Sequence, residues 1–349
     1  MYEALIIGGG PAGLSATMYC VRKGMDVLMV TSHMGGKSTL GLNLPDISEY
    51  HVLKAREQVQ VFRGRIEYLN HIWRRAHVDS ITEEAEGFQV TLSGSQIEPR
   101  ATGGAPSDAD GATSADGAAG GAASGGGATP PGASAGATTV TAEHLIIATG
   151  TIPRPLGVPG EKEFFGMGLG SSAISYSHLL RERPAVIIGD SDRAIEAALE
   201  CSLQADKVTL VLEPHAEYSH SHLHLVEQHD NIEIYNGYRV VRFQGDTFAR
   251  TVDICRGDDD CSDRRPHKQI TADAFFVERE PRPNSGIVKG LVDLTSSGAI
   301  TIDATNATSN PRIFAAGDVT TVGVEQILVA LGEGARAGLS AYRRRVLHV

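Results

Sequence analysis

The chain has 349 residues, of which 41% are hydrophobic, and this is enough for two globular domains with cores of their own. Its formal net charge of −11 argues against a nucleic-acid-binding face and against contact with an anionic membrane, because both need basic surfaces. Four cysteines do not make a disulfide scaffold, and no apolar run approaches the ~20 residues of a transmembrane helix. We expect a cytoplasmic protein with no nucleic-acid or membrane partner.

The N-terminal segment predicts a strand, a glycine turn and a helix, followed by a second strand. Gly8, Gly10 and Gly13 form a G-x-G-x-x-G pattern where the first strand meets the helix. Gly8 permits the tight turn, Gly10 lets the backbone approach a pyrophosphate, and Gly13 lets the helix pack closely on the strand. Pro11 near the first turn and Gly24 at the end mark the helix limits. The pattern predicts a dinucleotide-binding unit.

One expected residue is absent from this unit. The second strand, "MDVLMVT", ends at Thr31 and is followed by Ser32. Dinucleotide-binding folds usually carry an Asp or Glu there for the ribose hydroxyls. The prediction of a bound dinucleotide therefore rests on the glycine turn and not on an acid after the second strand.

The segment Thr102–Thr139 is of low complexity, and its only residues outside Gly, Ala, Ser, Thr and Pro are three aspartates. Such side chains bury too little apolar area to offset the entropy of ordering, so we expect a disordered loop. Strand-like "GFQVTL" (87–92) precedes it and "HLIIATG" (144–150) follows it. The loop is therefore interpreted as an enlarged hairpin connection inside a domain.

The strand–turn–helix pattern recurs at 184–213 with different residues at the glycine positions. Ser191 replaces the middle glycine and obstructs a pyrophosphate, while Asp190 and Asp192 repel its charge. Glu213 follows the next strand, where arginines would normally meet a nucleotide 2′-phosphate. The segment predicts a Rossmann-like fold with a damaged NADPH site; in the alternative interpretation, Arg193 restores phosphate binding.

The C-terminal region adds a strand that meets a Gly-Asp turn, "RIFAAGDVT" (312–320), and a long final helix, "VEQILVALGEGARAGLSAYRRRV". In their order and spacing, "GGGPAGLSA", "IIATGTIPRPLGVPG" and "IFAAGDV" resemble the low-molecular-weight thioredoxin reductase family. The resemblance covers essentially the whole chain outside the insertion. It implies an α/β fold with two Rossmann-like, three-layer dinucleotide-binding domains. An FAD-binding domain is expected at 1–155 plus 286–349, and a degenerate NADPH-type domain at 156–285. A homodimer is also expected.

The same resemblance implies which residues hold FAD. The pyrophosphate is assigned to the glycine turn, the adenine to the backbone near Val78, and the flavin side to three separate segments. The full set is Gly8, Gly10, Pro11, Ala12, Gly13, Thr31, Gly35, Gly36, Lys37, Asn43, Val78, Ala148, Thr149, Gly150, Gly317, Asp318, Gln326 and Ile327.

The stretch "GSSAISYS" (170–177) occupies the place of the family's redox motif. An ungapped alignment puts Ser172 and Ser175 on the two cysteines of the C-x-x-C, and Tyr176 on the acid that follows. Disulfide exchange needs a thiolate that attacks sulfur, and a hydroxyl cannot replace it. No catalytic residue is therefore assigned, and thioredoxin reduction by the family mechanism is not expected.

The remaining cysteines and the histidines are poor substitutes for that motif. Cys20 and Cys201 are expected in cores on helices. Cys255 and Cys261 flank three aspartates, which would raise thiol pKa values, so a structural hairpin disulfide is open but a redox pair is disfavoured. The histidines of "EPHAEYSHSHLHL" (213–225) have no completing ligand set, so no metal is predicted.

Three functions remain open at this point. The first is an FAD-dependent oxidoreductase that uses neither NADPH nor an internal dithiol. Its electron donor or acceptor would be a ferredoxin-like protein, a second flavin or a small molecule. The second is an NAD(P)H-dependent ferredoxin or flavin reductase, and the third is a non-catalytic FAD-binding redox sensor. We favour the first, because the flavin-facing segments persist at both chain ends while the other two sites are eroded.

Overall fold

The computed structural model describes residues 1–47, 55–94, 137–257 and 268–347. The strands are β1 (Tyr2–Ile7), β2 (Val27–Thr31), β3 (Trp73–Arg75), β4 (His77–Glu84), β5 (Gly87–Ser93), β6 (Thr138–Ile147), β7 (Thr151–Ile152), β8 (Leu169–Gly170), β9 (Pro184–Ser191), β10 (Lys207–Glu217), β11 (Ile232–Asn236), β12 (Tyr238–Gly245), β13 (Ala249–Arg256), β14 (Lys268–Thr271), β15 (Ala274–Val277), β16 (Arg282–Pro283) and β17 (Ile313–Ala315). The helices are α1 (Pro11–Arg22), α2 (Ala55–Tyr68), α3 (Glu161–Phe164), α4 (Ala173–Tyr176), α5 (Asp192–Ser202), α6 (His220–Val226) and α7 (Ile327–Leu347).

The first sheet has the strand order β3-β2-β1-β6-β5-β4, and β17 pairs with β6. Strands β1 and β2 are runs of apolar residues because parallel strands in this fold are covered on both faces. Strand β6 is long enough to pair antiparallel with β5 and parallel with β17 and β1. The expected hairpin between β5 and β6 is therefore present.

The predicted insertion differs from the structure at one boundary. Thr138 and Thr139 belong to β6, because they pair with β5, so the strand begins inside the segment assigned to the loop. The remainder of the predicted loop up to residue 136 lies outside the described residues.

Helices α1 and α7 pack against each other on one face of this sheet. Gly334 and Gly338 of α7 permit the close approach. A Cβ at Gly334 would lie 2.0 Å from the carbonyl oxygen of Ala12, and a Cβ at Gly338 would lie 2.9 Å from that of Ala16. Cys20 completes the same α1 stripe and is fully buried. The core role expected for Cys20 is confirmed.

The second sheet has the order β11-β10-β9-β15-β8 and is entirely parallel. Helix α5 packs on it, and the antiparallel sheet β12-β13-β14 lies against its other face. We call this part the second unit, and the first sheet with α1, α2 and α7 the first unit. The two chain crossings between the units pair as the short ribbon β16-β7.

Both sheets are sandwiched between apolar layers. One core packs the α1, α2 and α7 side of the first sheet, another packs its opposite face, and two further cores flank the second sheet. The predicted α/β fold with two Rossmann-like units is confirmed. In the described parts of the chain, no helix is both long and apolar enough to cross a membrane.

The second unit contains the other sulfur and imidazole groups considered above. Cys201 is fully buried in α5. Cys255 is fully buried in β13, and Cys261, its predicted partner, lies outside the described residues. His220, His222 and His224 lie on helix α6 rather than on a strand. Among the described residues, no cluster of three or more His, Cys, Asp or Glu side chains could hold a metal ion.

Candidate functional site

A cavity of about 1360 Å³ opens at the carboxyl ends of β1, β2, β6 and β17 and continues between the two units. Parallel strands of this fold present their loops together at that edge, which is where such sheets bind ligands. The residues that follow each strand therefore come together although they are far apart in the sequence. The cavity exceeds the ~300–1,000 Å³ of ordinary small-ligand pockets, so it can hold an extended cofactor.

The glycine turn after β1 has the shape that a pyrophosphate needs. Gly8 has φ +116°, and a Cβ there would lie 2.2 Å from the carbonyl oxygen of Ala148. Gly10 caps α1 without a side-chain hydrogen bond, and no acid lies in the first turn of the helix. The space beside the Cα of Gly10 is open. The N–H groups of the first turn are thus free to bind an anion. The residues present fit the diphosphate of a dinucleotide.

Most of the predicted FAD-binding positions line this cavity. Its walls include Gly8, Gly10, Pro11, Ala12, Thr31, Gly36, Lys37, Val78, Ala148, Thr149, Gly150, Gly317, Asp318, Gln326 and Ile327. Gly13 lies behind the turn, where a Cβ would meet the Gly8 oxygen at 1.9 Å, so it serves packing. Gly35 and Asn43 do not line the cavity.

Asn43 contacts the second unit. Its backbone N–H donates to the Gly166 oxygen at 2.9 Å, and its oxygen accepts from Gly168 N at 2.9 Å. Its side-chain nitrogen also donates to the Gly166 oxygen at 3.1 Å. Leu42 and Leu44 on either side are buried in the core of the second unit. Asn43, which the resemblance assigns to FAD, therefore lies in a segment that joins the two units.

The end of the cavity lined by Lys37, Asp318 and Gln326, which the resemblance assigns to the flavin, is called the flavin end here, and it carries a lysine and a carboxylate in contact. Lys37 Nζ lies 2.7 Å from Asp318 Oδ2 and 2.7 Å from Thr151 Oγ1. Asp318 follows the Gly317 turn, and the buried Glu333 of α7 accepts the Gly317 N–H at 2.7 Å. Burial raises the pKa of Glu333, and Asp318 adds to the shift, while the Gly317 N–H opposes it. Glu333 therefore fixes the turn that presents Asp318.

Ser172 and Ser175 reach the same end of the cavity from the second unit. Their Oγ atoms lie 2.8 Å apart, and Gln326 Nε2 donates to Ser175 Oγ at 3.3 Å. Ser172 has φ +64° and ψ +57°, a left-handed conformation that is uncommon for a residue other than glycine. Ser175 therefore contacts Gln326, a residue that the resemblance assigns to the flavin side.

A buried ion pair lies beneath the turn of Ser172–Ser175, which we call the serine turn. Glu278, 1% exposed, accepts the backbone N–H of Ala173 with one carboxylate oxygen. Its other oxygen accepts from Arg193 Nε at 2.8 Å. Burial raises the pKa of Glu278, and Arg193 and the Ala173 N–H oppose this shift. The pair supports the serine turn from inside the second unit.

The carboxyl edge of the second sheet, where a nicotinamide dinucleotide would bind, is occupied by protein side chains. Asp190 Oδ2 accepts from Arg154 Nη2 at 2.8 Å. Glu213 is buried in β10, directly after Leu212, where the regular pairing of β10 with β9 stops. It accepts two hydrogen bonds from Arg279, at 2.5 and 2.7 Å. Two acids and two arginines thus pair with each other at this edge, and both arginines line the cavity.

Five ionic residues of the site were not singled out from the sequence as partners of one another. They are Arg154, Glu278, Arg279, Glu325 and Glu333. Arg154, Glu325 and Glu333 lie in quoted segments, but those segments do not indicate the partners, because each residue contacts another part of the chain. A weak signal was present in the sequence, since Glu278 and Arg279 directly follow an apolar strand and Glu325 directly precedes Gln326.

Comparison with known proteins agrees with this architecture. The profile of the family described as "Pyridine nucleotide-disulphide oxidoreductase" matches residues 2–334. The F component of the alkyl hydroperoxide reductase of Pseudomonas aeruginosa is 28% identical over 346 residues, which cover 98% of this chain and 58% of that protein. The Escherichia coli protein of the same name is 27% identical over 342 residues with the same coverage. The chain therefore spans little more than half the length of these relatives.

Two solved structures show the same fold. Thioredoxin reductase from Streptococcus pyogenes has a TM-score of 0.75 and 24% identity, and the match covers 99% of each chain. Thioredoxin reductase from Giardia duodenalis has a TM-score of 0.76 and 24% identity with the same coverage.

Proposed function

The chain belongs to the pyridine nucleotide-disulphide oxidoreductase family, and we propose that it is an FAD-dependent oxidoreductase that uses neither NADPH nor an internal dithiol. The observation that carries this proposal is the pair Ser172 and Ser175, two hydroxyls 2.8 Å apart at the flavin end of the cavity. Electrons enter or leave the flavin through another donor or acceptor, namely a ferredoxin-like protein, a second flavin or a small molecule.

FAD is the cofactor of this chain, and when bound it supplies the group that accepts and donates electrons. The chain's own residues bind and orient it. The open first turn of α1 receives the diphosphate, and the Asp318 carboxylate can accept from a ribityl hydroxyl. Lys37 keeps a positive charge beside Asp318. Ser172 and Ser175 present hydroxyls to the flavin end. These hydroxyls cannot accept or donate the two electrons that a dithiol exchanges.

Cys20 and Cys201 give no replacement for the missing dithiol. Burial raises the pKa of Cys20 to about 12, and it does the same for Cys201 with smaller additions from Glu278 and Glu200. At neutral pH both are thiols, which neither attack a disulfide nor meet one in these cores. This supports a reaction confined to the flavin.

The crevice of the second unit supports independence from NADPH. Asp190 lies where the pyrophosphate of NADPH would bind, and Glu213 lies where its 2′-phosphate would bind. The arginines of this crevice, Arg154 and Arg279, pair with those acids. A phosphate that bound either arginine would have to compete with its carboxylate partner.

Arg193 was the remaining candidate for a phosphate ligand. Burial disfavours its charge, but Glu278 and Glu325 more than compensate and raise its pKa. Its Nε donates to Glu278 at 2.8 Å and its Nη2 to Glu325 at 3.3 Å. These contacts support the interpretation that Arg193 serves the protein's own carboxylates and not a bound phosphate.

One observation favours a second candidate, an NADH-dependent flavin or ferredoxin reductase. Glu213 lies in β10 directly after the last residue that pairs regularly with β9, and an acid there is the usual partner of an adenosine ribose 2′-hydroxyl. In that reaction Arg279 would have to leave Glu213. NADH therefore has to be tested separately from NADPH.

The direct test is anaerobic stopped-flow mixing of the FAD-loaded protein with NADPH and, separately, with NADH. We expect no stoichiometric bleaching of the flavin absorbance with either nucleotide. Photoreduction and dithionite serve as controls that the bound flavin can be reduced. Rapid stoichiometric bleaching by NADPH or NADH would overturn the nucleotide-independent part of the proposal, and NADH alone would favour the second candidate.

A second assay addresses the dithiol part. The reduced flavoprotein is mixed with oxidised thioredoxin, and reoxidation of the flavin is followed. We expect no reoxidation above that of a thioredoxin in which both active-site cysteines are serine. The homodimer and the domain limits 155/156 and 285/286 are proposals from the resemblance, and the cytoplasmic location is a proposal from composition and charge. Sedimentation of the purified chain tests the homodimer.

A further inference from the structure

Five charged side chains alternate in sign across the gap between the two units. In order, the contacts are Asp318–Lys37 at 2.7 Å, Lys37–Glu325 at 3.2 Å, Glu325–Arg193 at 3.3 Å and Arg193–Glu278 at 2.8 Å. We call these residues the charge chain. We propose that Glu325 is a positioning residue that, through this chain, holds the second unit against the flavin end of the cavity.

Glu325 is the point where the charge chain crosses from one unit to the other. Lys37 and Asp318 belong to the first unit, as does Glu325, while Arg193 and Glu278 belong to the second. A single oxygen, Glu325 Oε2, accepts from both Lys37 Nζ and Arg193 Nη2. Loss of this one carboxylate therefore breaks the charged contact between the units and leaves Lys37 with Asp318.

The charge chain also determines where the serines lie. Glu278 accepts the Ala173 N–H, which directly follows Ser172. On the other side, Gln326 directly follows Glu325 and donates to Ser175 at 3.3 Å. A shift of the second unit relative to Glu325 therefore moves both serines away from the flavin end.

The two ends of the charge chain differ in exposure, and this predicts a salt dependence. Glu278 is 1% exposed, whereas Glu325 and Lys37 are 22% and 35% exposed. Salt screens the partly exposed contacts at Glu325 much more than the buried pair of Arg193 and Glu278. High ionic strength should therefore weaken the crossing while leaving the second unit intact.

A separate, uncharged connection keeps the units together when the crossing is lost. Asn43 forms backbone hydrogen bonds with Gly166 and Gly168, and Leu42 and Leu44 lie in the second core. Salt does not screen these uncharged contacts as it screens the ion pairs at Glu325. Loss of Glu325 is therefore expected to loosen the flavin end and not to unfold the protein.

The test measures how accessible the bound flavin is to acrylamide, a neutral quencher of its fluorescence. The FAD-loaded full chain is compared with Glu325→Gln at low and at high sodium chloride. We expect the quenching constant of Glu325→Gln at low salt to rise about twofold or more, since two charged contacts are lost. High salt should raise quenching of the unaltered protein toward the same value and change the variant little.

Glu67→Gln is the matched control, because Glu67 forms an exposed pair with Arg63 on α2, away from the crossing. It should behave like the unaltered protein. Arg193→Gln breaks the same crossing from the other unit, so its combination with Glu325→Gln should add little to either single change.

Three results would overturn the proposal. One is an unchanged quenching constant in a Glu325→Gln protein that still holds stoichiometric FAD. Another is fully additive quenching in the double variant. The third is release of FAD by Glu325→Gln, which would assign Glu325 to cofactor binding and not to the orientation of the second unit. Nucleotide reduction plays no part in this measurement, so its outcome is independent of the proposed function.

Discussion

Ser172 Oγ lies 2.8 Å from Ser175 Oγ, and both hydroxyls face the flavin end of a cavity built mostly by the other unit. Two side chains three residues apart meet here because α4 is a single turn that begins at a left-handed Ser172. The backbone therefore keeps the geometry of a closed dithiol site although the sulfur atoms are absent.

That geometry predicts that Ser172→Cys/Ser175→Cys forms a disulfide on air oxidation. The two Oγ positions are near enough for small shifts to reach the ~2.05 Å sulfur–sulfur bond. Thiol titration should find no additional reactive thiols in the oxidised double variant and both of them after reduction. In the control Ser175→Cys/Ser177→Cys both should stay reactive, because Ser177 Oγ bonds to the Ile174 oxygen. A double variant that stays reduced would show that the two positions are wrongly placed.

A second prediction concerns Asp318. Asp318→Ala removes an acceptor for the ribityl chain and leaves Lys37 with less neutralisation in the cavity wall. Charge-assisted hydrogen bonds contribute about 1.5–3 kcal/mol, so FAD affinity should fall by roughly tenfold to a hundredfold. Fluorescence titration of the apoprotein with FAD measures this. Asp246→Ala, at a side chain that is 69% exposed, should leave the affinity unchanged; equal affinities would remove Asp318 from the site.

The crevice of the second unit predicts a strongly non-additive stability effect. Arg279→Met leaves Glu213 buried without its bidentate partner, and we expect unfolding free energy to fall by about 1–3 kcal/mol for this partly exposed pair. Arg279→Met/Glu213→Met removes both charges and should be less destabilised than Arg279→Met alone. Urea unfolding of the two single variants and the double variant completes the cycle. Additive losses would mean that the two residues do not interact.

The fourth prediction is a pH dependence. Burial lowers the pKa of His144, outweighing the hydrogen bond from its Nδ1 side to the Glu3 oxygen. Below the ordinary pKa near 6.5 the unfolded chain takes up a proton that the folded chain resists, so the free energy of unfolding falls as pH falls through this window. His144→Gln should flatten that fall in thermal unfolding between about pH 6.5 and 5. His77→Gln, at a 74% exposed side chain, should not, and an unchanged slope in His144→Gln would contradict the assignment.

The elements that the sequence predicted well are those whose signal is local. The turn of Gly8, Gly10 and Gly13 was predictable because a strand, a tight turn and a helix start are encoded by neighbouring residues. Asn43 shows the limit of this approach. Its segment resembles a cofactor-contacting loop, but the hydrogen bonds that position it come from Gly166 and Gly168 in the other unit.

The sequence by itself determined the class of this protein: two Rossmann-like units, an intact pyrophosphate turn in one and an acidic one in the other, and hydroxyls in place of thiols at Ser172 and Ser175. Only the tertiary structure decided which charges neutralise one another. Lys37 and Glu325 are 288 positions apart, and Arg279 and Glu213 are 66 apart. Ion pairing depends on distance in space and on burial, which sequence spacing does not contain, so only the folded chain determines these contacts.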